Sequence, residues 1–171
     1  LSIDFISAMA HHNEVAHNLA QSVKRFGKDS VFVAVMEEAS VTVWLAQAVE
    51  RFPYILSLHT CESLCLPTIY PRLSRCKAEN WLLSSACKDA MGVVLPSKGC
   101  ANDLVENFDV YTKKIKTIWN PIDCAQIRRQ SWCQIDEVSA WVRSTKKFKI
   151  VHVGRLDAQK NHELLLQACF E

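Results

Sequence analysis

Short apolar runs that alternate with segments of helical periodicity constrain this chain more than any other feature. Each run has the length of a buried strand, and the segments between them carry apolar residues every three or four positions, the spacing of one helix face. Strands that alternate with helices form parallel sheets, and strands that are apolar throughout are typical of sheets buried on both sides. The pattern therefore predicts an α/β fold, a parallel sheet with helices on both faces. The predicted strands are residues 3–6, 31–35, 54–58, 91–95, 115–119 and 148–153, and the predicted helix faces are Val15, Leu19, Val23 and Phe26, then Val43, Leu45, Ala46 and Val49, then Leu104, Val105 and Phe108.

Turn-forming residues predict where several of these elements begin and end. Gly27 is expected to end the first helix, Pro53 to open a strand and Ser97 to cap the start of a helix. The longest helical region is predicted at about 67–87, and we expect it to form two pieces because Pro71 lies near its start.

The pattern weakens after residue 121 and resumes with the strand predicted at 148. We therefore predict a first domain over 1–121, a connector over 122–147 with one helix and irregular structure, and the start of a second domain over 148–171. The chain begins at a leucine without the features of a signal peptide, and the apolar face of its last helix, at 164–168, has no capping glycine or proline after it. Such ends are expected for a piece of a longer protein, with both domains incomplete.

Charge and hydropathy exclude several classes of function. Twenty Lys and Arg residues oppose eighteen Asp and Glu residues, which leaves a net charge of +2 and no basic field for nucleic acid. No apolar run approaches the roughly 20 residues of a membrane-spanning helix. A local basic cluster of Arg143, Lys146, Lys147 and Lys149 is interpreted as a solvated edge or as a contact with an anionic membrane surface.

The placement of cysteine and histidine predicts no metal site. The eight cysteines include no Cys-x-x-Cys pair, and Cys61 with Cys65 lacks a second ligand pair at zinc spacing, so reduced thiols are expected. His11 and His12 are adjacent and point to different faces of a helix, with His17 further along. We expect these histidines to be exposed or to cap helix ends.

Residues that directly follow predicted strands are the candidates for chemistry, because ligands bind at the carboxyl ends of parallel strands. Three segments qualify. His59 to Ser63 follow one strand, Asn-Pro-Ile-Asp at 120–123 follows another, and the segment 154–160 follows the last.

The segment 154–160 has the composition of a diphosphate-binding loop. Gly154 lets the backbone approach a ligand, Arg155 offers a guanidinium that fits two phosphate oxygens, and Lys160 adds a charge at the start of the next helix. The alternative is a solvated loop in which these two cations pair with Asp157 or Glu163.

Three parts of the sequence resemble glycosyltransferase family 4. KIVHVGRLDAQKNHELLLQA at 149–168 is similar to the opening of that family's nucleotide-binding domain, where a strand ends in Gly-Arg and a lysine precedes a Leu-rich helix. SKGCANDLVENF at 97–108, followed by KIKTIWNPID at 114–123, resembles the family's Ser, Asp-Leu helix and strand that ends in Asn-Pro-Ile/Val-Asp. ILSLHT at 55–60 is similar to the family's acceptor-side strand that ends in histidine.

This resemblance implies a glycosyltransferase B fold, in which two Rossmann-like halves face each other across a cleft. The chain would hold most of the acceptor-side half and the start of the donor-side half. Matched residue by residue, the resemblance implies that Gly154, Arg155 and Lys160 bind the donor diphosphate and that His59 is catalytic, near the transferred sugar. An alternative for His59 is a strand-end histidine satisfied by the backbone. No cofactor or metal is implied, since a nucleotide diphosphate sugar acts as co-substrate.

The implied function is that of a retaining hexosyltransferase of polysaccharide biosynthesis. It would transfer a sugar from a nucleotide diphosphate sugar to a glycan or a lipid-linked acceptor, in the cytoplasm or at the inner face of the membrane. Residues 1–12 lack the family's glycine-rich loop, and the family's paired glutamates would fall after residue 171, so this piece by itself is expected to be inactive. A non-catalytic remnant or binding module of the same fold, and a nucleotide-sugar epimerase, are the alternatives.

Overall fold

A computed structural model of the chain describes residues 3–26, 30–133, 136–144 and 148–170, without the side chains of residues 3–9, 11, 26 and 137. The chain divides into two compact units, an N-terminal unit, Leu1–Pro121, and a C-terminal unit, Ile122–Glu171. The functional assignment of a first domain, a connector and a second domain stays a prediction. None of the helices formed by the described residues is both long and apolar enough to span a membrane.

The N-terminal unit is built on a four-stranded parallel sheet whose strands lie side by side in chain order. Four of the predicted strands and the predicted α/β fold are therefore confirmed. The strands are β1 (Phe32–Val35), β2 (Tyr54–Ser57), β3 (Gly92–Leu95) and β4 (Ile115–Thr117).

Helices provide the crossovers between these strands, as a parallel sheet requires. One helix precedes β1, one joins β1 to β2, two join β2 to β3, and one with a short 3-10 turn at Thr112–Lys114 joins β3 to β4. The helices are α1 (Ile3–Phe26), α2 (Glu37–Ala46), α3 (Glu62–Ile69), α4 (Leu73–Asp89) and α5 (Lys98–Phe108).

The core lies on one face of the sheet. Ala34, Leu56 and Val93 are paired across the strands and are buried, so they form one apolar row. Side chains alternate between the two faces of a strand. The neighbours of Ala34 in β1, Val33 and Val35, therefore lie on the other face, where they are 61% and 51% exposed. The prediction of strands buried on both sides of the sheet is thus wrong for β1.

The strand predicted at residues 3–6 is wrong, because these residues belong to α1. A four-residue apolar run is compatible with a strand or a helix, and its surroundings decide between them. Neither glycine nor proline occurs between Ile3 and Phe26, so the helical periodicity continues through the run. With 24 residues, α1 is longer than α4, so the longest helix also lies outside the region in which it was predicted.

The buried face of α1 differs from the predicted stripe. Ala16, Ala20 and Val23 are buried, whereas Val15, predicted to face the core, is 59% exposed. Small side chains on this face let α1 pack closely against α2 and α4. The side chain of Phe26 and the predicted stop at Gly27 lie outside the described residues.

His12 is buried, so the expectation of an exposed or capping histidine is wrong for this residue. Its Nε2 atom lies 3.5 Å from the carboxylate of Glu79 in α4, and its Nδ1 atom lies 3.2 Å from the hydroxyl of Thr42 in α2. The Arg75 guanidinium contacts the same carboxylate. A buried polar group needs such partners, and they come from helices that the local pattern could not assign to His12.

Two predictions of local structure are confirmed in this unit. The helical region before β3 forms two helices, and the break at 70–72 contains Pro71. Ser97 caps α5, since its Oγ accepts a hydrogen bond from the Cys100 N–H at 3.1 Å.

The C-terminal unit contains short helices. They are α6 (Cys124–Ser131), α7 (Asp136–Ser144) and α8 (His162–Phe170), with a 3-10 turn at Ala158–Lys160. The single helix with irregular structure predicted at 122–147 is thus replaced by two helices. Two members of the basic cluster, Lys146 and Lys147, lie outside the described residues.

The strand predicted at 148–153 is wrong, because the described backbone has no strand there. Phe148 and Val153 are 93% and 89% exposed. A strand needs a neighbour to satisfy its N–H and C=O groups, and this unit contains no other strand among its described residues. Leu164 and Leu166 in α8, predicted to face a core, are also exposed.

Candidate functional site

The loop that follows β2, residues 58–63, lies at the carboxyl edge of the sheet and is called the β2 loop. Its first residue, Leu58, is buried and donates its N–H to the Val94 carbonyl of β3 at 3.0 Å. The loop then enters α3 at Glu62. Because β2 and β3 are parallel neighbours, their carboxyl ends place the β2 loop beside the start of α5.

His59 is exposed at the tip of β2. Its Nε2 atom lies 3.2 Å from the Ser57 hydroxyl, so the observed partner is a side chain rather than the backbone. This contact orients the imidazole and leaves its other nitrogen, Nδ1, for a ligand. The catalytic role of His59 stays a prediction.

Glu62 is a fully buried carboxyl at the base of the β2 loop. Its Oε1 atom accepts a hydrogen bond from the Thr60 hydroxyl at 2.7 Å, while Oε2 is buried and has no hydrogen-bond partner among the described residues. Burial raises the pKa of Glu62 to about 7; the Thr60 hydrogen bond opposes this shift, and the charges of Glu37 and Asp103 add to it. The carboxyl is therefore partly protonated at neutral pH.

Met36 follows β1 and positions Glu37, the first residue of α2, at the carboxyl edge of the sheet. Met36 adopts a left-handed backbone with φ of 74°, which is uncommon for a residue other than glycine. Its N–H donates to the Ser57 carbonyl at 2.9 Å, and its own carbonyl accepts the Ser40 hydroxyl at 2.7 Å. Strained backbone of this kind persists where its surroundings fix it and clusters at functional sites. It brings Glu37 close enough for its charge to raise the pKa of Glu62.

Asp103 in α5 anchors the other end of the β2 loop. Its carboxylate accepts hydrogen bonds from the Ser63 N–H at 3.1 Å, from the Ser63 hydroxyl, and from the Asn107 amide at 2.9 Å. These bonds join the start of α3 to α5. The loop that presents His59 is thus held at both Thr60 and Ser63.

In the C-terminal unit, Gly154 and Lys160 lie together. A Cβ atom at position 154 would lie only 3.3 Å from Cγ of Lys160 and 3.5 Å from Nε2 of His152. Gly154 does not have a left-handed backbone, and among the described residues the only constraint that its surroundings place on a side chain here is this close contact with the Lys160 stem. Arg155 and Lys160 are both exposed.

The loop between Gly154 and α8 is held by its own polar groups. The Asp157 carboxylate accepts the Gln159 N–H at 2.9 Å, and the His162 Nε2 donates to the Arg155 carbonyl at 2.7 Å. Within the described residues, neither Arg155 nor Lys160 forms an ion pair, so their predicted alternative partners, Asp157 and Glu163, do not hold them. The diphosphate role of Gly154, Arg155 and Lys160 stays a prediction.

Sequence reasoning missed the partners that the N-terminal unit brings to the β2 loop. Glu37, Cys100 and Asp103 are far from the loop in sequence and become its neighbours through the parallel sheet. For Asp103, the local signals are its place in the Asp-Leu pair of the family resemblance and its position beside Leu104 on the buried side of α5, where an unpaired carboxylate would be costly. No three His, Cys, Asp or Glu side chains in the described ranges are arranged to hold a metal ion.

The chain is similar in sequence to known proteins. Over 90 residues, 52% of this chain, it is 37% identical to the N-acetylgalactosamine-N,N'-diacetylbacillosaminyl-diphospho-undecaprenol 4-alpha-N-acetylgalactosaminyltransferase of Campylobacter jejuni subsp. jejuni serotype O:2. That match spans 22% of the Campylobacter protein. The sequence model of the family described as Glycosyltransferase Family 4 matches residues 10–126, which include all four strands of the sheet and the β2 loop. The chain therefore belongs to glycosyltransferase family 4.

Proposed function

We propose that the protein containing this chain transfers a sugar from a nucleotide diphosphate sugar to a glycan or a lipid-linked acceptor in polysaccharide biosynthesis, with retention at the anomeric carbon. The observation that carries this proposal is the family match over the whole N-terminal sheet, with a polar loop held at its carboxyl edge. The relative from Campylobacter, whose name describes a glycosyltransferase with a diphospho-undecaprenol acceptor, supports the acceptor class.

The β2 loop is proposed to contact the reacting sugar. His59 is exposed and oriented by Ser57, and the loop behind it is held by the Thr60–Glu62 and Ser63–Asp103 hydrogen bonds. An imidazole held in this way can hydrogen-bond a sugar hydroxyl without first losing much conformational freedom. His59 would therefore act at the reacting centre.

The segment 154–160 is proposed to hold the donor diphosphate. The guanidinium of Arg155 and the ammonium of Lys160 would stabilise the charge that builds on the diphosphate as the sugar leaves. In this proposal the nucleotide sugar is a co-substrate, and the protein's own cations supply the stabilisation. The exposed Arg143, with Lys149 over the Trp141 ring, would add a weak peripheral contact with an anionic inner membrane face.

The test is a transfer assay on the intact protein that contains this chain. A nucleotide sugar labelled in the sugar is mixed with a polyprenyl-diphosphate-linked sugar, and the products are separated and their anomeric configuration is determined by NMR. Label on the acceptor with retained configuration supports the proposal. Label that stays on the nucleotide with an altered sugar identifies an epimerase, and an unchanged donor identifies a non-catalytic protein.

Arg155→Ala is expected to weaken the binding of the nucleoside diphosphate, measured by calorimetry on the same intact protein. A hydrogen bond to a charged group contributes about 1.5–3 kcal/mol, so the dissociation constant should rise about 10- to 150-fold. Lys160→Ala should act in the same direction. The control is Arg128→Ala, which removes an exposed arginine from α6 and should leave the affinity unchanged.

His59→Ala separates the two halves of the proposal. It should slow transfer strongly while the affinity for the nucleoside diphosphate stays at the wild-type value, because His59 is assigned to the sugar and not to the diphosphate. Equal losses of affinity in His59→Ala and Arg155→Ala would contradict these separate roles.

A further inference from the structure

Cys61 and Cys100 form a close pair of thiols at the carboxyl edge of the sheet. Their Sγ atoms lie 3.5 Å apart, although the residues are 39 positions apart in sequence. Cys61 directly precedes α3 in the β2 loop, and Cys100 lies in the first turn of α5. Both thiols are free. A disulfide has an S–S distance of about 2.05 Å, so the two sulfur atoms need to approach by only about 1.5 Å.

We propose that Cys61 and Cys100 are a modification site, an oxidisable pair that forms a reversible disulfide between the β2 loop and α5. The pair differs from the remaining cysteines. No other thiol–thiol contact occurs among the described residues.

The reaction balances with a peroxide as the oxidant. The Cys61 thiolate attacks one peroxide oxygen, which gives a sulfenic acid and releases water after protonation. The Cys100 thiol then attacks the sulfenic sulfur, the S–S bond forms, and a second water leaves. The two sulfur atoms together lose two electrons, which reduce one peroxide to two waters. Cys61 is the attacking residue because it is half-exposed, whereas Cys100 is 8% exposed and reacts second.

The same contact makes this pair slow to react at neutral pH. The hydrogen bond with Cys100 raises the pKa of Cys61 to about 11, with further contributions from burial and from the negative charges of Cys100, Asp103 and Cys65. Since the thiolate is the reactive form, the rate of disulfide formation should increase about tenfold per pH unit between pH 7 and pH 9. At neutral pH, disulfide formation is therefore expected to need a high peroxide concentration or a long exposure.

The disulfide would fix the loop that carries the proposed site. It would join the segment between His59 and Glu62 covalently to α5, beside the existing Ser63–Asp103 contact. This consequence for sugar transfer rests on the proposed function. The formation of the disulfide does not, and it can be measured without any substrate.

The experiment treats the reduced chain with hydrogen peroxide at pH 7, 8 and 9, blocks the remaining thiols with N-ethylmaleimide, and identifies cross-linked peptides by mass spectrometry after proteolysis without reductant. We expect a peptide pair that joins Cys61 to Cys100, lighter by two hydrogen atoms, which increases with pH and disappears with dithiothreitol. Because this readout uses the wild-type chain, it does not depend on a variant that folds.

Matched variants test the assignment. Cys61→Ser should abolish the cross-link, while Cys65→Ser, one turn further along α3, should retain it. The proposal is overturned if Cys61 ends as a sulfinic acid while Cys100 is still alkylated, if Cys61 pairs with Cys65 instead, or if Cys65→Ser removes the product.

Discussion

At the scale of the residue, the buried carboxyl of Glu62 makes the β2 loop sensitive to pH. Glu62 has no exposed surface, one hydrogen bond from Thr60, and a second oxygen without a partner among the described residues. A buried carboxylate is costly unless it is paired, so the carboxyl favours its neutral form. Its raised pKa, about 7, makes this site sensitive to pH in the neutral range.

Glu62→Gln should remove the decrease in the free energy of unfolding that the wild type shows as the pH rises from about 4.5 to 7. The folded-state pKa of about 7 lies above the ordinary value of 4.5, so the folded chain binds more protons than the unfolded chain between these values. Stability is therefore full below about pH 4.5 and falls as the pH rises towards 7, by about 3 kcal/mol in total. Glutamine cannot ionise. The free energy of unfolding of the variant, relative to the wild type, should rise by about that amount from pH 4.5 to pH 8.

Urea denaturation at several pH values between 4.5 and 8 measures this difference. Glu106→Gln, an exposed change in α5, is the control and should give a difference that does not vary with pH by more than about 0.5 kcal/mol. A flat difference for Glu62→Gln would mean that the carboxyl is already ionised and satisfied in the folded chain.

At the scale of the element, Lys114 binds the carboxyl end of α4 through hydrogen bonds. Its ammonium group donates to the carbonyls of Lys88 and Ala90, the latter at 2.8 Å, although it lies in the turn before β4. The last carbonyls of a helix lack partners within the helix and attract cations. These hydrogen bonds join the crossover between β3 and β4 to the carboxyl end of α4.

Lys114→Met should destabilise the chain by about 1–3 kcal/mol, because it removes charge-assisted hydrogen bonds to half-buried carbonyls. The adjacent Lys113→Met is a matched control. Lys113 is exposed and lies 5.8 Å from the centre of the Tyr111 ring, a contact of at most about 1 kcal/mol. Thermal or urea unfolding measures both. Equal effects would show that Lys114 acts only through its charge on the surface.

At the scale of the whole molecule, the sheet of the N-terminal unit is buried unevenly. The row of Ala34, Leu56 and Val93 faces the core, while Val33 and Val35 of β1 are more than half exposed. Stability should therefore depend on which face a side chain occupies rather than on how apolar it is.

Leu56→Ala should cost about 2.7–5 kcal/mol, the range for a buried leucine whose removal leaves a cavity. Val33→Ala, on the other face, should cost less than about 1 kcal/mol, because an exposed side chain loses little burial. Urea denaturation of both variants gives the comparison. A large effect of Val33→Ala would show that the second face is covered in solution.

The α/β fold, four strands, the Ser97 cap and the break at Pro71 could all be predicted from the sequence, because each depends on local periodicity or on a residue with a special backbone preference. The same reasoning failed at 3–6 and at 148–153. An apolar run of a few residues forms a strand only where a partner strand can satisfy its backbone, and such partners are not encoded locally.

For the candidate site, too, some features could be predicted from the sequence and others depend on tertiary contacts. The sequence alone determined that His59 follows a strand, because residue type and local periodicity suffice to locate β2. Arg155 and Lys160 follow a predicted strand that the described backbone does not form, and the ligand-binding roles of all three residues stay predictions. Only the tertiary structure decided that Glu62 is buried beside Glu37, that Asp103 anchors Ser63, and that two thiols 39 residues apart lie in contact. Burial and pairing depend on which distant segments pack together, and those contacts set the pKa and the reactivity of a side chain.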